Sequence, residues 1–139
     1  TDRLDALDGV ETPRIAPGDE PSYWRYPLHV DVDRFPEGPD GFARELRTQG
    51  IVSTPRYVKK PAFQTAVIAH RRTFGNSGFP FTLARPEAVD YAPARFPGTF
   101  EFLSSVLVLP WNERLRDDDV DHIADRIEDV ALTSVGASP

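Results

Sequence analysis

The helical periodicity of the last quarter of the sequence is the strongest constraint on the fold. Asp117, Asp118 and Asp119 open this segment, where carboxylates cap free amide groups and complement the helix dipole. Such a helix needs another layer of structure to cover its apolar face. The apolar residues that recur there at helical spacing are Val120, Ile123, Ala124, Ile127, Val130 and Ala131.

Two segments have the composition of β-strands. Residues 23–32 are rich in aromatic and β-branched side chains, and apolar residues alternate with polar ones from Tyr26 to Val32. Pro27 in this segment favours a strand at the edge of a sheet, because proline cannot donate to a ladder. The apolar run Ser105 to Leu109, ended by Pro110, predicts a buried strand.

Between these strands the pattern changes several times. A turn over residues 37–40 introduces a short amphipathic helix that ends at Gly50, since glycine commonly terminates helices. Residues 51–58 predict an extended segment that ends in an exposed loop at Lys59, Lys60 and Pro61. Residues 63–97 predict a long, irregular loop of the kind that is often functional, with a short helix or strand at residues 66–69.

The order of these elements predicts an α/β chain of the α+β two-layer sandwich type. A small, mostly antiparallel sheet would be covered by helices on one face. Leu4 and Leu7 followed by glycines and prolines predict the end of a helix and an irregular connector. We therefore expect residues 1–22 to be a connector and residues 23–139 to form the domain.

Composition excludes several functional classes. The net charge of -6 argues against nucleic acid as a partner, because such binders need a clustered basic surface. The absence of cysteine excludes disulfides and thiolate chemistry, and no apolar run approaches the ~20 residues that span a bilayer. We expect a cytoplasmic protein without membrane contact. The absence of methionine suggests that this is a fragment of a longer protein.

Basic and polar residues in the middle of the chain are candidates for substrate binding. Lys59 and Lys60 are the only lysines, and a second cation nearby lowers a lysine pKa toward amine nucleophilicity, although an exposed loop favours the charged form. Arg71 and Arg72 are weaker candidates for holding an anionic substrate, and solvated surface arginines are the alternative. Asn76 lies in a Gly-Asn-Ser-Gly turn that lacks the spacing of a phosphate-binding loop.

Two acidic groupings were considered as metal ligands. His29, Asp31 and Asp33 would share one face of a strand, but a solvated strand face explains them. Residues 117–119 are consecutive and have a capping role, whereas metal sites use wider ligand spacing. We therefore expect no metal site, and no spacing identifies a catalytic triad.

Several stretches together resemble the small domain of the DegT/StrS family of sugar and aminocyclitol aminotransferases. The sequence Tyr-Trp-Arg-Tyr-Pro-Leu at residues 23–28 is similar to the first strand of that domain, and residues 41–51, ending in Gly-Ile, are similar to its helix. Residues 56–63 match the loop with a tyrosine followed by a proline, without the histidine that some relatives carry there. Residues 108–110 match the family's Leu-Pro ending.

The resemblance implies a domain of an enzyme that depends on pyridoxal phosphate (PLP) and transfers an amino group to a keto sugar or keto cyclitol. The lysine that binds PLP belongs to the large domain in that family, so this chain would bind no cofactor and be inactive alone. The resemblance places Arg56, Tyr57, Lys59 and Lys60 at the mouth of the substrate cleft. It also implies a homodimer and a large PLP-binding domain, in the same or another chain, as partners.

Two other hypotheses remain open at the level of sequence. One is a free-standing binding or regulatory module that keeps the sandwich without catalysis. The other is the small subunit of a two-chain aminotransferase, in which a separate polypeptide supplies the lysine domain.

Overall fold

The computed structural model describes residues 1–73 and 75–133 and divides the chain into two compact units. Among the described residues, unit 1 contains Thr1–Tyr57 and residues 104–133, and unit 2 is Val58–Leu103. Residues 134–139, the end of the expected domain, lie outside the described residues. No helix among the described residues is long and apolar enough to cross a membrane.

Unit 1 is built on a four-stranded sheet in the order β1-β2-β4-β3, in which every pair of neighbours is antiparallel. The longest pairing joins β2 to β4, with Tyr26 opposite Leu109 and Leu28 opposite Leu107. The predicted antiparallel sheet is therefore confirmed. The strands are β1 (Val10–Glu11), β2 (Arg25–Val30), β3 (Thr54–Pro55) and β4 (Val106–Pro110).

The expectation that Pro27 marks a sheet edge is wrong, because β2 lies between β1 and β4. The Trp111 N–H donates to the Trp24 carbonyl, and the alternation of an antiparallel ladder then directs the Pro27 nitrogen away from β4. On that other side, β1 pairs only with His29 and Val30. Proline is tolerated in this inner strand because β1 is too short to extend alongside Pro27, so no hydrogen bond of the sheet is lost with the missing N–H.

Two helices cover one face of the sheet, as the sequence predicts. Helix α1 spans Gly38–Thr48, and helix α4 spans Asp117–Thr133. At the start of α4, the Asp119 carboxylate accepts a hydrogen bond from the Arg116 N–H (2.9 Å), which confirms the capping role for Asp119. The core between sheet and helices includes Leu28, Val30, Leu107 and Leu109 from the sheet, Phe42, Ala43 and Leu46 from α1, and Ile127, Val130 and Ala131 from α4.

Helix α1 ends where the sequence predicts. Gly50 has a φ of +83°, a conformation that glycine adopts without steric cost. Its N–H donates to the Arg47 carbonyl (3.1 Å), and the Ile51 N–H donates to the Leu46 carbonyl (2.9 Å). This is the Schellman arrangement, and the Ile51 and Leu46 side chains join the same core.

The structure differs from the sequence prediction at two segments. The extended segment expected over residues 51–58 contains only the two residues of β3, and Ile51 and Ser53 before it are buried. Within residues 1–22, β1 joins the sheet, and Leu4 and Val10 enter the core. A strand of two residues is too short to produce a recognisable alternation in the sequence.

Unit 2 is mostly irregular, as expected for residues 63–97. The predicted short element is the helix α2, Ala66–Ala69, and helix α3, Pro97–Ser105, leads into β4. Phe63 contacts three other rings, at centroid distances of 5.8 Å to Tyr91, 4.7 Å to Phe96 and 6.1 Å to Phe100. Contacts among the rings of this aromatic cluster provide the main apolar packing described in unit 2.

Candidate functional site

Arg56 is one of the predicted substrate-facing residues, and it is held at the end of β3. Its N–H donates to the Val106 carbonyl (2.7 Å), and its φ of +46° turns the chain out of the sheet. Its guanidinium group donates to the Asp40 carboxylate at the start of α1. Arg56 therefore joins β3, β4 and α1, and about half of its side chain stays exposed.

Tyr57, the second predicted residue, forms part of an aromatic corner with Trp24 and Arg25. The Tyr57 and Trp24 rings meet edge to face, with their centroids 6.4 Å apart. The Arg25 guanidinium carbon lies 4.7 Å from the Trp24 centroid and 4.5 Å from the Tyr57 centroid. Trp24 is 68% exposed and Tyr57 41%, so the aromatic corner is a surface feature of unit 1.

Trp24 and Arg25 were not predicted to be functional residues from the sequence. Trp24 immediately precedes β2 and Arg25 is its first residue, and only the pairing of distant strands brings them next to Tyr57. A neighbouring aromatic and basic residue in a strand was the available signal. Such pairs are too common in strands to identify a site without the fold.

The other predicted residues belong to unit 2 and lie on its surface. Lys59, Lys60, Arg71, Arg72 and Asn76 are all exposed. The Arg71 and Arg72 backbones close the end of α2, with N–H donors to the carbonyls of Ile68 and Val67 respectively. Their roles in binding stay predictions.

A shallow cleft of about 440 Å³ in unit 2 includes one of these residues, Arg71. Phe63 and Tyr91 form part of its wall, and their rings are nearly parallel, with an interplanar angle of 5°. Gln64 adds an amide at the same cleft. An aromatic wall beside a guanidinium and an amide suits a flat or apolar ligand that carries polar groups.

A second cleft, of about 370 Å³, lies in unit 1 between the N-terminal segment, the sheet and α4. Tyr23, Tyr26 and Trp111 supply aromatic walls, with the Tyr26 and Trp111 centroids 5.4 Å apart. The Tyr26 hydroxyl is hydrogen-bonded to Thr1 Oγ1 (2.8 Å). Burial raises the pKa of Tyr26 and outweighs the opposing effect of that hydrogen bond, so the phenol stays neutral.

Arg3 ties the N-terminal segment to α4 at the rim of this cleft. Its Nε donates to Glu128 Oε1 (2.9 Å), and its Nη2 donates to Asp125 Oδ1 (2.6 Å) and Glu128 Oε2 (2.8 Å). The hydrogen bond from Arg3 lowers the pKa of Asp125, and the two carboxylates raise the pKa of Arg3. These acids are thus engaged by a structural cation.

Two of the possible metal ligands, His29 and Asp31, have other partners. His29 Nδ1 is hydrogen-bonded to Ser105 Oγ (2.8 Å), and Asp31 Oδ1 accepts from the Asp33 N–H (2.9 Å). In the part of the chain that the structure describes, no group of three or more His, Asp or Glu side chains is arranged to hold a metal ion.

The two lysines of this chain do not fit the role that PLP requires. The cofactor needs a lysine inside a pocket, with groups for its phosphate and its ring nitrogen. Lys59 and Lys60 are both exposed, and neither lines the two clefts described above. No chemical step through PLP is therefore assigned to this chain.

Comparisons with known proteins identify the fold. No protein-family model matches the sequence, and no curated protein matches it. Among solved structures, the aminotransferase TlmJ from Streptoalloteichus hindustanus matches with a TM-score of 0.61 and 22% identity, over 98% of this chain and 30% of that one. A DegT DnrJ EryC1 StrS aminotransferase from Brucella abortus matches with a TM-score of 0.62 and 22% identity, over 92% of this chain and 27% of that one.

The sugar aminotransferase CalS13 from Micromonospora echinospora shows the same relation. It matches with a TM-score of 0.56 and 23% identity, over 92% of this chain and 27% of its own. The chain thus spans less than a third of the length of the aminotransferases that it matches. It has the α+β fold of one part of these enzymes, which confirms at the level of fold the resemblance to the small domain of the DegT/StrS family.

Proposed function

We propose that this chain is the C-terminal small domain of a PLP-dependent aminotransferase that transfers an amino group to a keto sugar or keto cyclitol. One observation carries the proposal: nearly the whole chain matches aminotransferases, while it spans only 27–30% of their length. The neighbours include enzymes described as sugar aminotransferases. PLP and the lysine that binds it would belong to a large domain, in the same or another chain, of a cytoplasmic homodimer.

In this proposal the chain contributes substrate contacts rather than bond-making groups. Arg56, Tyr57, Lys59 and Lys60 would face the substrate, with Arg71, Arg72 and Asn76 as weaker candidates. The exposed edge of the aromatic corner at Tyr57 supports this role, because an exposed ring and cation suit a polar ligand. Arg56 is ion-paired with Asp40, which supports a role in shaping the loop as well as in contacting substrate.

The first test is the intact mass of the natural protein, detected in its source cells with an antibody to this chain. The proposal expects a mass several times the 15.6 kDa of the chain, since the chain spans 27–30% of its matches. A natural protein near 15.6 kDa with no PLP-containing partner in its complexes would refute it. A yellow partner that co-purifies with the small chain would instead identify a two-chain aminotransferase.

A second test separates substrate contact from cofactor retention. In the enzyme that contains the large domain, Tyr57→Ala should lower kcat/KM for the keto substrate by about tenfold, the effect of one lost polar contact. Bound PLP, measured by its absorbance after dialysis, should stay unchanged. Arg47→Ala, on the exposed face of α1, is the matched control. Equal loss of activity and of bound PLP in Tyr57→Ala would mean that the loop is structural.

The isolated chain offers a third test. It should bind no PLP that survives dialysis and should catalyse no transamination, because its lysines are exposed and outside the clefts. Retained PLP absorbance that disappears in Lys59→Ala or Lys60→Ala would overturn the assignment of the cofactor to another domain.

A further inference from the structure

Two aromatic rings hold the Arg25 side chain in place without neutralising its positive charge. Two rings contact its guanidinium group, at 4.7 Å for Trp24 and 4.5 Å for Tyr57. The two ring centroids are 6.4 Å apart. The lines from the Arg25 guanidinium carbon to the two centroids therefore meet at roughly a right angle. The rings thus contact two different sides of the group.

No acidic side chain among residues 1–73 and 75–133 forms an ion pair with Arg25. The neighbouring Arg56 has Asp40 as its partner. The sequence contains 22 acidic and 16 basic side chains, so acids are abundant elsewhere on the chain. An arginine that is ordered and lacks an acidic partner is well prepared for an external anion.

The nitrogen atoms of Arg25 restrict the geometry of such an anion. Nε is buried and has no hydrogen-bond partner among the described residues. An anion cannot reach Nε from solvent, so side-on binding through Nε and one Nη is closed. End-on binding by the two Nη atoms is the geometry that remains.

We propose that the aromatic corner of Trp24, Arg25 and Tyr57 binds an oxyanion group, a phosphate or a carboxylate, end-on through the two Nη atoms of Arg25. The rings fix the guanidinium plane before binding, which reduces the conformational entropy lost on binding. The open faces of the rings would contact the ligand atoms next to the anion. This inference concerns the isolated chain, and it holds whether or not the aminotransferase proposal is correct.

The test is an NMR titration of the ¹⁵N-labelled chain at constant ionic strength. Inorganic phosphate and sodium acetate are the two probes, and sodium chloride is the reference salt. The signals are the Arg25 Nε–H and the Trp24 indole N–H, which Trp24→Phe assigns. The proposal expects a saturable shift of both signals with phosphate or with acetate, and the probe that saturates identifies the anion.

Variants separate a site from general attraction by surface charge. Arg25→Gln should weaken binding at least about tenfold, because the charged hydrogen bonds are lost. Arg25→Lys keeps the charge without the planar fork and should also weaken it. Arg47→Gln removes one exposed positive charge on α1 and should leave the affinity unchanged.

Two results would overturn the proposal. One is a linear, unsaturated response of both signals to phosphate and to acetate alike. The other is an affinity lost equally in Arg25→Gln and Arg47→Gln, which would indicate nonspecific screening. Retention of the dispersed spectrum in Arg25→Lys shows that lost binding is not lost folding.

Discussion

Replacement of Leu46 by alanine tests the packing of α1 on the sheet. Leu46 is 0% exposed and shares its core with Leu28, Leu107 and Ile127, which are equally buried. Deletion of a buried leucine side chain costs about 3–5 kcal/mol when the surroundings cannot collapse, through lost transfer free energy and the cavity left behind. Its neighbours are fixed in two strands and a second helix, so we expect a loss of about 3–4 kcal/mol.

That loss is a large part of the stability of a typical domain, about 5–15 kcal/mol. For a chain of this size it corresponds to a fall in Tm of roughly 10 °C. Urea unfolding, followed by circular dichroism at 222 nm and by tryptophan fluorescence, measures it. Trp24 and Trp111 both belong to unit 1, so the fluorescence reports on the unit that contains Leu46.

The matched control is Arg47→Ala, the next residue on α1, whose side chain is exposed. We expect a loss below about 1 kcal/mol there, from a weaker interaction with the helix dipole. If Leu46→Ala loses less than about 1 kcal/mol, or no more than Arg47→Ala, the helix does not pack on the sheet as described.

Gly50→Ala should destabilise unit 1 by about 1–2 kcal/mol, because a β-carbon is strained at a φ of +83° although it would meet no atom within 4 Å; an unchanged urea midpoint would contradict the cap geometry. Burial raises the pKa of Tyr26, so its contribution to stability is complete below the unfolded pKa of about 10 and is lost as pH rises through the folded value. Tyr26→Phe should therefore flatten the alkaline loss of stability relative to the wild type, and parallel curves would refute this. Arg3→Ala should raise the pKa of Asp125 toward its ordinary value, as followed by the ¹³C shift of the carboxyl carbon. The wild-type contribution of this acid is present above about pH 4 and is lost as pH falls through its lowered pKa, so an unchanged Asp125 titration in the variant would be inconsistent with the contact. Phe63→Ala should speed tryptic cleavage within unit 2 about 30-fold relative to Leu83→Ala, since roughly 2 kcal/mol of ring packing is lost and Leu83 is 77% exposed; equal rates would show that the cluster does not hold unit 2.

Local signals in the sequence were sufficient to predict α1, α4 and β4. Each of these elements carries its own evidence, such as a 3.6-residue apolar period, a terminating glycine or a continuous apolar run. The antiparallel sheet and the helical layer then follow, because the apolar faces have few ways to cover one another.

The position of a strand within the sheet could not be predicted in the same way. Pro27 suggested an edge because proline lacks a donor, but the shortness of β1 decides whether that donor is missed. The length of β1 depends on which distant residues pair with β2. Propensity describes a residue and its sequence neighbours, whereas pairing is a property of the folded chain.

In the candidate site, too, individual residues could be predicted from the sequence, whereas their contacts with distant residues could not. The resemblance predicted Arg56 and Tyr57, and the structure adds that Tyr57 contacts Arg25, 32 positions earlier in the sequence. The ion pair between Arg56 and Asp40 could not be predicted from the sequence either. Both contacts arise because β4 pairs with both β2 and β3, and α1 packs on the same sheet.

The two sets of candidate residues differ in how firmly the fold holds them. Arg25 is part of β2, which pairs with β4 from Arg25 to His29 and is packed against the main core. The unit 2 candidates lie in a segment where, among the described residues, Pro61 alone is buried. A ligand that contacts the aromatic corner meets side chains of the packed unit 1, whereas one that contacts Arg71 or Asn76 meets exposed side chains of a segment with little buried packing. We therefore expect the unit 1 residues to determine the affinity for an anion, and substitutions of Arg71 or Asn76 in unit 2 to change that affinity less than Arg25→Gln does.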